Sequence, residues 1–579
     1  MHIDWDVPIR MDDGNILRAD AYRPPKEGRY PVIMSYGPYG KGLAFQEGYP
    51  EQWNMLVREH PDVAEGSTNK YQTWETTDPE RWVPDGYACV RVDSRGCGRS
   101  PGYLDPYSPR ERRDYYLCIE WAAAQPWSNG RVGLLGISYF AITQWQVAAL
   151  QPPHLSAIIP WEGAVDFYRD MSHHGGILCT FRKNWFPKQV KTVQHGVGTK
   201  GKTNPNNGQL VAGPETLSEE ELARKRTDPG EDLYKHYLED EYYLGRTADL
   251  SKIAVPILSC ANWGGQGLHS RGNFEGFMRA ASNEKWLEVH GLEHWTEFYT
   301  SYGLSLQKRF FARYLKREDN GWERTQPRVF LNVRTTNGGF VQRGEDEWPI
   351  PRTKWMRYYL GNEDSLGEKP SPVGGKIEYD PAGDGVTFSM LPIKRETEIT
   401  GPSSAKLFVS SSTIDADIFL VLRLFAPEGK EVVFRGALDP HNPFAQGWLR
   451  ASHRNLDQKL SLPFRPYHSH DKIEPLRSGE IYEVDIEIWP TSTIIPKGYR
   501  VALTILGRDY EYGGKGTTIS TFANVLRGSG PFLHDDPRER PPDVYGGRVT
   551  VYFGERYPSS VLLPIIPTKQ KFVESSSQA

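Results

Sequence analysis

The sequence predicts a mainly parallel α/β sheet followed by an antiparallel β-sandwich, with a polar insertion inside the first unit. Up to about residue 320, short apolar runs alternate with amphipathic helical patterns, as in a sheet that helices cover on both faces. Between about 166 and 250 the chain turns polar, which indicates an inserted cap. Beyond about 327, short runs of alternating polarity separated by Gly, Pro and Asn turns have the period of two that is typical of antiparallel strands.

The first unit begins with strands and then alternates strand with helix. Asp-Asp-Gly-Asn at 12–15 predicts a hairpin turn, and Pro152 and Pro153 end the helix whose apolar residues recur at 142, 145 and 149. The expected elements are strands at Tyr30–Met34, Gly86–Asp93, Val132–Ile137, Ser156–Pro160, Val255–Ser259 and Trp286–Val289, and helices around Tyr115–Ala122, after Ser138 and at Leu304–Leu315.

These patterns divide the 579 residues into several domains, as expected for a chain longer than one hydrophobic core usually serves. An acidic stretch from Ser218 to Tyr243 predicts helices in the cap. The stretch from Ala44 to Pro84 shows no clear period, and it either covers a site or forms an aromatic-rich surface excursion. The expected division is an α/β unit at 1–165 and 251–320, a helical cap at 166–250, a β-sandwich at 325–567 and a flexible tail at 568–579.

The composition excludes several classes of function. A charged fraction of 25% and a net charge of -4 give no electrostatic reason to bind nucleic acid or an anionic membrane. The acidic start from His2 to Asp6 does not resemble a signal peptide, and no long uninterrupted apolar stretch follows, so a cytoplasmic location is expected. The five cysteines are scattered and lack a Cys-x-x-Cys pair, so we expect reduced thiols, no metal site and no other cofactor.

A serine at the end of the 132–137 strand is the candidate nucleophile. Ser138 stands in Gly136-Ile137-Ser138-Tyr139-Phe140, where a strand passes directly into a helix. A serine hydroxyl is a weak nucleophile, and such a turn holds it near a base and a helix N-terminus. Phe140 replaces the second glycine of the usual Gly-x-Ser-x-Gly, so the pentapeptide alone is a weak signal.

Other segments make this signal more specific. They are Pro38–Lys41, Asp93–Ser100, Gly136–Tyr139, Gly447–Ser452 and Pro496–Arg500. Together they resemble the CocE/NonD family of serine hydrolases, the group of cocaine esterase, α-amino-acid ester hydrolases and X-Pro dipeptidyl-peptidases. The resemblance spans nearly the whole chain, and it implies an α/β-hydrolase domain, a helical cap and a C-terminal jelly-roll sandwich.

The resemblance implies roles for four residues. Ser138 would attack an ester or amide carbonyl and form an acyl-enzyme, while His294 would take the serine proton and return it to the leaving group. The hydroxyl of Tyr39 and the backbone N–H of Tyr139 would donate hydrogen bonds to the oxyanion. Such donors are typically worth about 3 kcal/mol each in the transition state.

Other histidines compete with His294. His269 and the pair His173-His174 are alternative bases, although the chain order Ser, acid, His favours a late histidine. His290 and His294 are four residues apart, as metal ligands on one helix face would be, but a strand-like run and Gly291 argue against a helix there.

The acid of the triad is where the sequence departs from the family. The family's aspartate follows a Gly-Trp-Tyr-Asp-like turn, and the corresponding stretch, Asn262–Gly267, contains no carboxylate. Glu162 is our candidate, because it follows the strand after the nucleophile strand, whose carboxyl end lies beside the usual acid loop in a doubly wound sheet. Glu288, Glu293 and Asp166 compete for this role, and Glu162 acting only as a pocket-lining or structural carboxylate is the other interpretation.

These residues predict a serine hydrolase that cleaves a small-molecule ester or amide. Three alternatives stay open: an acyltransferase on the same scaffold, an X-Pro-type peptidase, and a binding protein that has lost the usual acid. Peptidase action of the X-Pro type needs a site for a free substrate amine, which the sequence does not place. The expected partner is therefore a small molecule, with no nucleic acid and no membrane, and homodimerisation stays open.

Overall fold

The computed structural model describes residues 1–567 and contains two large β-sheets; the tail expected at 568–579 lies outside the described residues. The predicted hairpin turn joins the first two strands, which pair antiparallel from Arg10 and Ile16. The elements up to residue 165 are β1 (His2–Arg10), β2 (Ile16–Arg23), β3 (Tyr30–Gly37), α1 (Phe45–Gly48), α2 (Pro50–Glu59), α3 (Pro79–Trp82), β4 (Ala88–Asp93), α4 (Pro109–Ala123), β5 (Ser128–Ile137), α5 (Tyr139–Ala148) and β6 (Leu155–Trp161).

The segment from 166 to 250, called the insertion below, is built from short pieces. They are a π-helical turn (Phe167–Ser172), β7 (His173–His174), β8 (Ile177–Leu178), α6 (Phe181–Trp185), a second π-helical turn (Phe186–Val190), α7 (Glu219–Arg224), α8 (Pro229–Lys235) and α9 (Glu241–Leu244). The predicted acidic helical stretch forms the last three helices. Each begins where the side chain of Ser218, Asp228 or Asp240 accepts backbone N–H groups of the first turn.

The first sheet resumes after the insertion. Its later elements are β9 (Ile257–Asn262), α10 (Ser270–Arg279), β10 (Lys285–His290), α11 (Ser301–Leu315), α12 (Trp322–Thr325), β11 (Val329–Arg334) and β12 (Phe340–Glu345). The strand order is β1-β2-β4-β3-β5-β6-β9-β10-β11-β12, and all neighbours from β4 to β11 are parallel. The order reverses direction around β3 and β5, and ligands of such sheets bind outside the carboxyl ends of strands at this kind of point.

Both faces of this sheet are buried, as the apolar runs of the sequence predict. In β5, Val132 and Leu134 pack with residues of α4 and α5, whereas Leu135 and Ile137 pack on the other face with residues of α11. Successive side chains of a strand point to opposite faces, so a strand covered on both sides needs a nearly continuous apolar run. The parallel α/β fold therefore follows directly from that run.

The sheet extends further along the chain than the sequence indicated. Strands β11 and β12, at Val329–Arg334 and Phe340–Glu345, hydrogen bond to β10 and to each other, although the predicted boundary near 325 assigns them to the sandwich. Alternating polarity identifies an antiparallel edge strand but not the sheet it joins. The difference arises because an α/β sheet can carry an antiparallel strand at its edge.

The C-terminal β-sandwich is one continuous hydrogen-bonded set of strands around its own core. Its elements are β13 (Lys354–Gly361), β14 (Ser365–Gly367), β15 (Gly375–Tyr379), β16 (Val386–Met390), β17 (Thr397–Ser411), β18 (Asp417–Phe425), β19 (Glu431–Val432), β20 (Ala445–Arg450), β21 (Tyr482–Ile495), β22 (Arg500–Leu506), α13 (Pro542–Tyr545), β23 (Val549–Phe553) and β24 (Ser560–Ile566). The predicted period-two run lies in β21, where Val484, Ile486 and Ile488 face the sandwich core and alternate with more exposed acidic residues.

The five cysteines are buried free thiols. Within residues 1–567, none of the helices combines the length and apolar composition needed to cross a bilayer.

The insertion docks on the sandwich through a glycine that has no room for a side chain. Gly175 has φ of +57°, its carbonyl accepts the N–H of Arg450 at 2.9 Å, and a Cβ placed on it would lie 2.0 Å from the Trp448 carbonyl oxygen. Gly208 has a similar φ of +73° but open space around it.

We expect Gly175→Ala to lower the thermal unfolding midpoint clearly more than Gly208→Ala does. The second substitution costs only the left-handed backbone strain of about 1 kcal/mol, whereas the first also forces a clash with the sandwich. Equal shifts in calorimetry would contradict this docking.

Candidate active site

Ser138 occupies the sharp turn that a nucleophile requires. It follows β5 directly, precedes α5 and has φ of 57° and ψ of -113°. Its N–H donates to the Trp161 carbonyl at 3.0 Å, and its own carbonyl accepts the N–H of Ile142 at 2.8 Å. The residue is partly exposed, while Ile137 and Tyr139 on either side are fully buried. The turn therefore fixes the backbone and presents the hydroxyl at the carboxyl edge of the sheet.

Phe140 replaces the second glycine of the usual Gly-x-Ser-x-Gly, and two glycines in the strands beneath it leave room for its side chain. The ring of Phe140 packs so closely on Gly37 of β3 that a Cβ at that position would lie 2.6 Å from the ring. A Cβ on Gly136 would in turn lie 2.4 Å from the Cβ of Phe140. A large side chain is accommodated because the glycines lie in the two strands beneath it, so the departure from Gly-x-Ser-x-Gly does not disturb the turn.

His269 is the histidine that contacts the nucleophile. Its Nε2 lies 3.3 Å from Ser138 Oγ, within hydrogen-bond distance. His269 immediately precedes α10, after the loop that follows β9, and its side chain is buried. The sequence predicts His294 as the base with His269 as an alternative, and His269 is the histidine within hydrogen-bond distance of Ser138 Oγ.

His294 instead lies between two carboxylates. Its Nδ1 is 3.0 Å from Glu162 Oε2, and its Nε2 is 2.7 Å from Glu75 Oε1. The contact between Glu162 and His294 is the one expected from the sequence, but the second ring nitrogen is bonded to Glu75 and not to Ser138. The predicted base, His294, therefore has both ring nitrogens on carboxylates, and the expected contact with Ser138 is made by His269 instead. Its ring stacks on that of His269, with centroids 4.9 Å apart and planes 13° from parallel.

Glu162 links this histidine to a second one. Its Oε1 is 2.8 Å from His290 Nε2, and the other nitrogen of His290 is 2.7 Å from Glu288 Oε2. Carboxylates and imidazoles thus alternate through the protein interior. The carboxylate–histidine row consists of Glu75, His294, Glu162, His290 and Glu288. With its carboxylates ionised and both imidazoles protonated, the row carries a formal charge of about -1.

The competing acids lie elsewhere. Glu288 is at the far end of the row, on the other side of His290. Glu293 pairs with Arg435 of the sandwich, and Asp166 pairs with Arg169 at 2.8 Å. Of the four carboxylates considered from the sequence, Glu162 is the one in contact with His294.

The remaining histidine candidates are also apart from the serine. His173 stacks on Tyr168 in the insertion, and His174 contacts His534 of the C-terminal part. His290 is the last residue of strand β10, so it does not share a helix face with His294 as a pair of metal ligands would. Each of the two binds a separate oxygen of Glu162.

The loop that corresponds to the family's acid loop packs against the sandwich domain. A Cβ on Gly264 would lie 2.3 Å from the Cα of Gly436 in the sandwich domain. Backbone hydrogen bonds join the two parts at this place, from Ala437 N–H to the Gly264 carbonyl at 3.0 Å and from His294 N–H to the Ala437 carbonyl at 2.9 Å. Asn262 donates to Glu162 Oε1 at 3.2 Å from the start of the same loop. The C-terminal domain therefore packs directly against this loop, and the carboxylate that contacts His294 Nδ1 is that of Glu162, which follows β6.

Electrostatics separates the two stacked histidines. Burial opposes a charge on His294, but the carboxylates of Glu162 and Glu75 outweigh it and raise the pKa of His294 to about 9. Burial, together with the nearby His294, lowers the pKa of His269 to about 3. Burial also opposes the charge of Glu162, yet the hydrogen bonds from His290 and His294 lower its pKa to about 2. At neutral pH the site thus holds a charged His294 against a neutral His269.

The two expected oxyanion donors lie next to the nucleophile. The Tyr39 ring packs on those of Tyr139 and Phe140, with centroids 6.1 and 5.8 Å apart, and its hydroxyl oxygen accepts the Trp185 Nε1–H at 3.2 Å. That oxygen therefore keeps its own proton for donation, and burial raises the pKa of Tyr39 well above its ordinary value. The N–H of Tyr139 belongs to the first turn of α5, where no acceptor exists within the helix.

Glu75 is the site residue that sequence reasoning missed. It lies in the stretch from Ala44 to Pro84 that showed no period, has φ of 63°, and its carbonyl accepts the N–H of Ile137 at 3.0 Å. That bond ties the loop to the residue before Ser138 and brings the carboxylate to His294. The one available signal was an acid next to Trp74 in a stretch that could cover a site.

Comparison with known proteins decides the family. The profile of the X-Pro dipeptidyl-peptidase (S15 family) matches residues 13–296, and that of the X-Pro dipeptidyl-peptidase C-terminal non-catalytic domain matches residues 320–562. A CocE/NonD family hydrolase from Staphylococcus aureus has a similar crystal structure, with a TM-score of 0.83 and 34% identity over 98% of this chain and 93% of that one. The chain belongs to the CocE/NonD family of hydrolases.

Other relatives agree with this assignment. The cocaine esterase of Rhodococcus sp. is 25% identical over 97% of this chain and 98% of its own length. An aminopeptidase from a marine sediment archaeon has a TM-score of 0.68 at 17% identity, which shows a shared fold alone. This CocE/NonD protein is a serine hydrolase of the α/β-hydrolase fold with a C-terminal β-sandwich, as the sequence predicted.

The carboxylate–histidine row predicts a loss of stability in alkali. The pKa of His294 is raised to about 9 and that of His290 to about 10, so their contribution is fully present below about 6.5, the ordinary histidine value, and is lost as pH rises through 9 to 10. We expect the free energy of unfolding in urea to fall across this window, and Glu162→Gln to flatten the fall because both imidazoles lose a carboxylate. His154→Gln, which removes an exposed pair with Glu120, is the control. An unchanged pH dependence in Glu162→Gln would be inconsistent with the row.

Proposed function

We propose that Ser138 attacks the carbonyl of a small ester or amide and forms an acyl-enzyme that water then hydrolyses. The observation that carries this proposal is the 3.3 Å contact between Ser138 Oγ and His269 Nε2 at a strained turn. A nucleophile activated by an adjacent base on such a turn is the arrangement that acyl transfer requires.

The proposed base is His269. A neutral imidazole can accept the serine proton at Nε2, and burial beside a charged His294 keeps His269 neutral. When His269 takes the proton, the carboxylate of Glu162 favours the new positive charge, against burial and the charge of His294. His294 and Glu162 would then act through His269, as residues that hold its ring in place and set its charge.

Tyr39 and the backbone N–H of Tyr139 are the proposed oxyanion donors. Support comes from the Trp185 contact, which leaves the Tyr39 proton free, and from the unpaired first-turn position of Tyr139 in α5. The Tyr139 side chain takes no part, because its hydroxyl donates to the buried Glu111 at 2.6 Å. Donors fixed in this way need no reorganisation when the oxyanion forms.

The substrate we propose is small and carries an apolar acyl group. The walls around the serine are aromatic, since Tyr39, Tyr139 and Trp185 pack on one another in edge-to-face and stacked contacts. Such walls favour burial of apolar surface over recognition of charge. The names of relatives, cocaine esterase and X-Pro dipeptidyl-peptidase, are compatible with either an ester or an amide bond.

Labelling with a fluorophosphonate tests both the nucleophile and its base. We expect stoichiometric modification of the wild-type protein and none of Ser138→Ala. His269→Gln should slow the second-order labelling rate by about 10² to 10⁴, the usual worth of a general base. His294→Gln should label more slowly than the wild type, but its main effect should be a shift in the pH dependence of the labelling rate. The substitution removes the charge beside His269 and keeps His269, the proposed base, in place.

Controls and hydrolysis assays complete this test. His154→Gln, at an exposed site, should label like the wild type, and a panel of chromogenic acyl esters and anilides measured on wild type and Ser138→Ala would report the preferred bond. Complete inertness of Ser138 in the folded wild-type protein would refute the nucleophile. Loss of labelling in His294→Gln together with a normal rate in His269→Gln would return the role of base to His294.

A further inference from the structure

A second cluster of reactive side chains lies where the insertion meets the C-terminal domain, on the β7–β8 hairpin and the chain after β22. His174, Cys179 and His534 are all fully or almost fully buried, and their potential ligand atoms lie within 4.8 Å of one another. The chain around them is tightly joined, because Thr180 donates both its N–H and its hydroxyl to the Leu533 carbonyl, at 2.8 and 3.0 Å.

The outer contacts of the two histidines hold their rings so that one nitrogen of each faces the other. His534 Nδ1 is 2.8 Å from Asp509 Oδ1, and because an ionised carboxylate only accepts, this nitrogen carries a proton. His174 Nε2 is 3.4 Å from the Asp170 carbonyl, which likewise only accepts. With a proton on each outer nitrogen, each imidazole presents an unprotonated nitrogen to the cluster. The two inward nitrogens, His174 Nδ1 and His534 Nε2, are 2.8 Å apart.

Two lone pairs that face each other at this distance repel unless a cation lies between them. A shared proton is one such cation, and a metal ion is the other. Cys179 favours the metal, because its sulfur adds a third donor and a negative charge on ionisation. Burial raises the pKa of the Cys179 thiol, and a hydrogen bond from the backbone N–H of Phe181 to the sulfur opposes part of that shift, so the thiol loses its proton only when a metal binds.

The surroundings match a metal site built by a protein. The Asp509 carboxylate accepts the backbone N–H of His534 at 2.7 Å as well as its ring N–H, so it orients the ligand from behind. Trp448 and Trp489 pack on the His174 ring, with centroids 4.9 and 5.3 Å away, and a water molecule would complete the four ligands of a metal held by these three side chains. Two imidazoles and a thiolate suit zinc, whereas calcium and magnesium prefer oxygen ligands.

We propose that His174, Cys179 and His534 bind one zinc ion that joins the β7–β8 hairpin of the insertion to the C-terminal domain. On binding, the Cys179 thiol releases its proton to solvent and the thiolate sulfur donates an electron pair to zinc, as does one nitrogen of each histidine. Nitrogens about 2.0 Å from a tetrahedral zinc lie about 3.3 Å apart, so the two rings must separate by about half an ångström. Sequence patterns gave no sign of the site, since its ligands are scattered over 360 positions of the chain.

Zinc content after chelation and reloading tests the proposal without any assay of hydrolysis. The full-length protein is dialysed against a chelator, reloaded with Zn²⁺, desalted and analysed by elemental mass spectrometry; about one zinc per chain is expected. Loading with Co²⁺ in place of zinc should give an intense near-ultraviolet band from a thiolate-to-cobalt transition. Cys179→Ser should lose that band and most of the zinc, while Cys118→Ser, at a buried thiol in α4, should keep both.

A milder variant covers the case in which ligand variants fail to fold. Asp509→Asn keeps all three ligands but removes the carboxylate behind His534, and it should weaken zinc affinity about 10- to 100-fold in a competition titration. Near-ultraviolet circular dichroism confirms folding of each variant. Absence of bound zinc in the reloaded wild type, or full zinc content in folded Cys179→Ser, would overturn the site and leave a proton between the two histidines.

Discussion

The arrangement of the active site depends on one carboxylate, Glu162, that binds two imidazoles at once. A buried carboxylate is costly unless hydrogen bonds and opposite charge compensate it, and His290 and His294 provide both. Their partners Glu288 and Glu75 extend the compensation to either end of the carboxylate–histidine row. The row therefore fixes the loop after β10, the end of β6 and the loop that carries Glu75 relative to one another, and these segments surround Ser138.

This constraint explains why the site differs from the usual serine–histidine–acid triad although it still brings a serine, histidines and carboxylates into contact. Gly264 packs against Gly436, so the loop after β9, which has no carboxylate between Asn262 and Gly267, lies against the sandwich. Glu162, which follows the neighbouring strand β6, contacts His294 on one side and Glu75 contacts it on the other, and these carboxylates keep His294 charged. The hydrogen-bond partner of the serine is His269, and burial together with the charge on His294 keeps this histidine neutral. The C-terminal domain contributes here as a wall that positions the backbone of His294.

Much of this could be read from the sequence, because it depends on local pattern. The parallel sheet, the polar insertion and the turn at Ser138 follow from apolar runs and strand ends. The contact of Glu162 with His294 is expected from the strand end before Glu162 together with the family resemblance that singles out His294. Contacts between distant loops could not be read in this way. Glu75 reaches His294 because its backbone binds Ile137, and His269 reaches Ser138 through a turn that no periodicity describes. Likewise, β11 and β12 join the first sheet through pairing that alternation alone does not specify.

The protonation states of the two stacked histidines test the account most directly. Imidazole nitrogen shifts of the protein labelled with ¹⁵N-histidine, assigned with His269→Gln and His294→Gln, report each ring separately. At pH 7 we expect His294 to carry protons on both nitrogens and to lose one near pH 9, and His269 to be neutral with an unprotonated Nε2 facing Ser138. A neutral His294 beside a charged His269 at pH 7 would contradict the account.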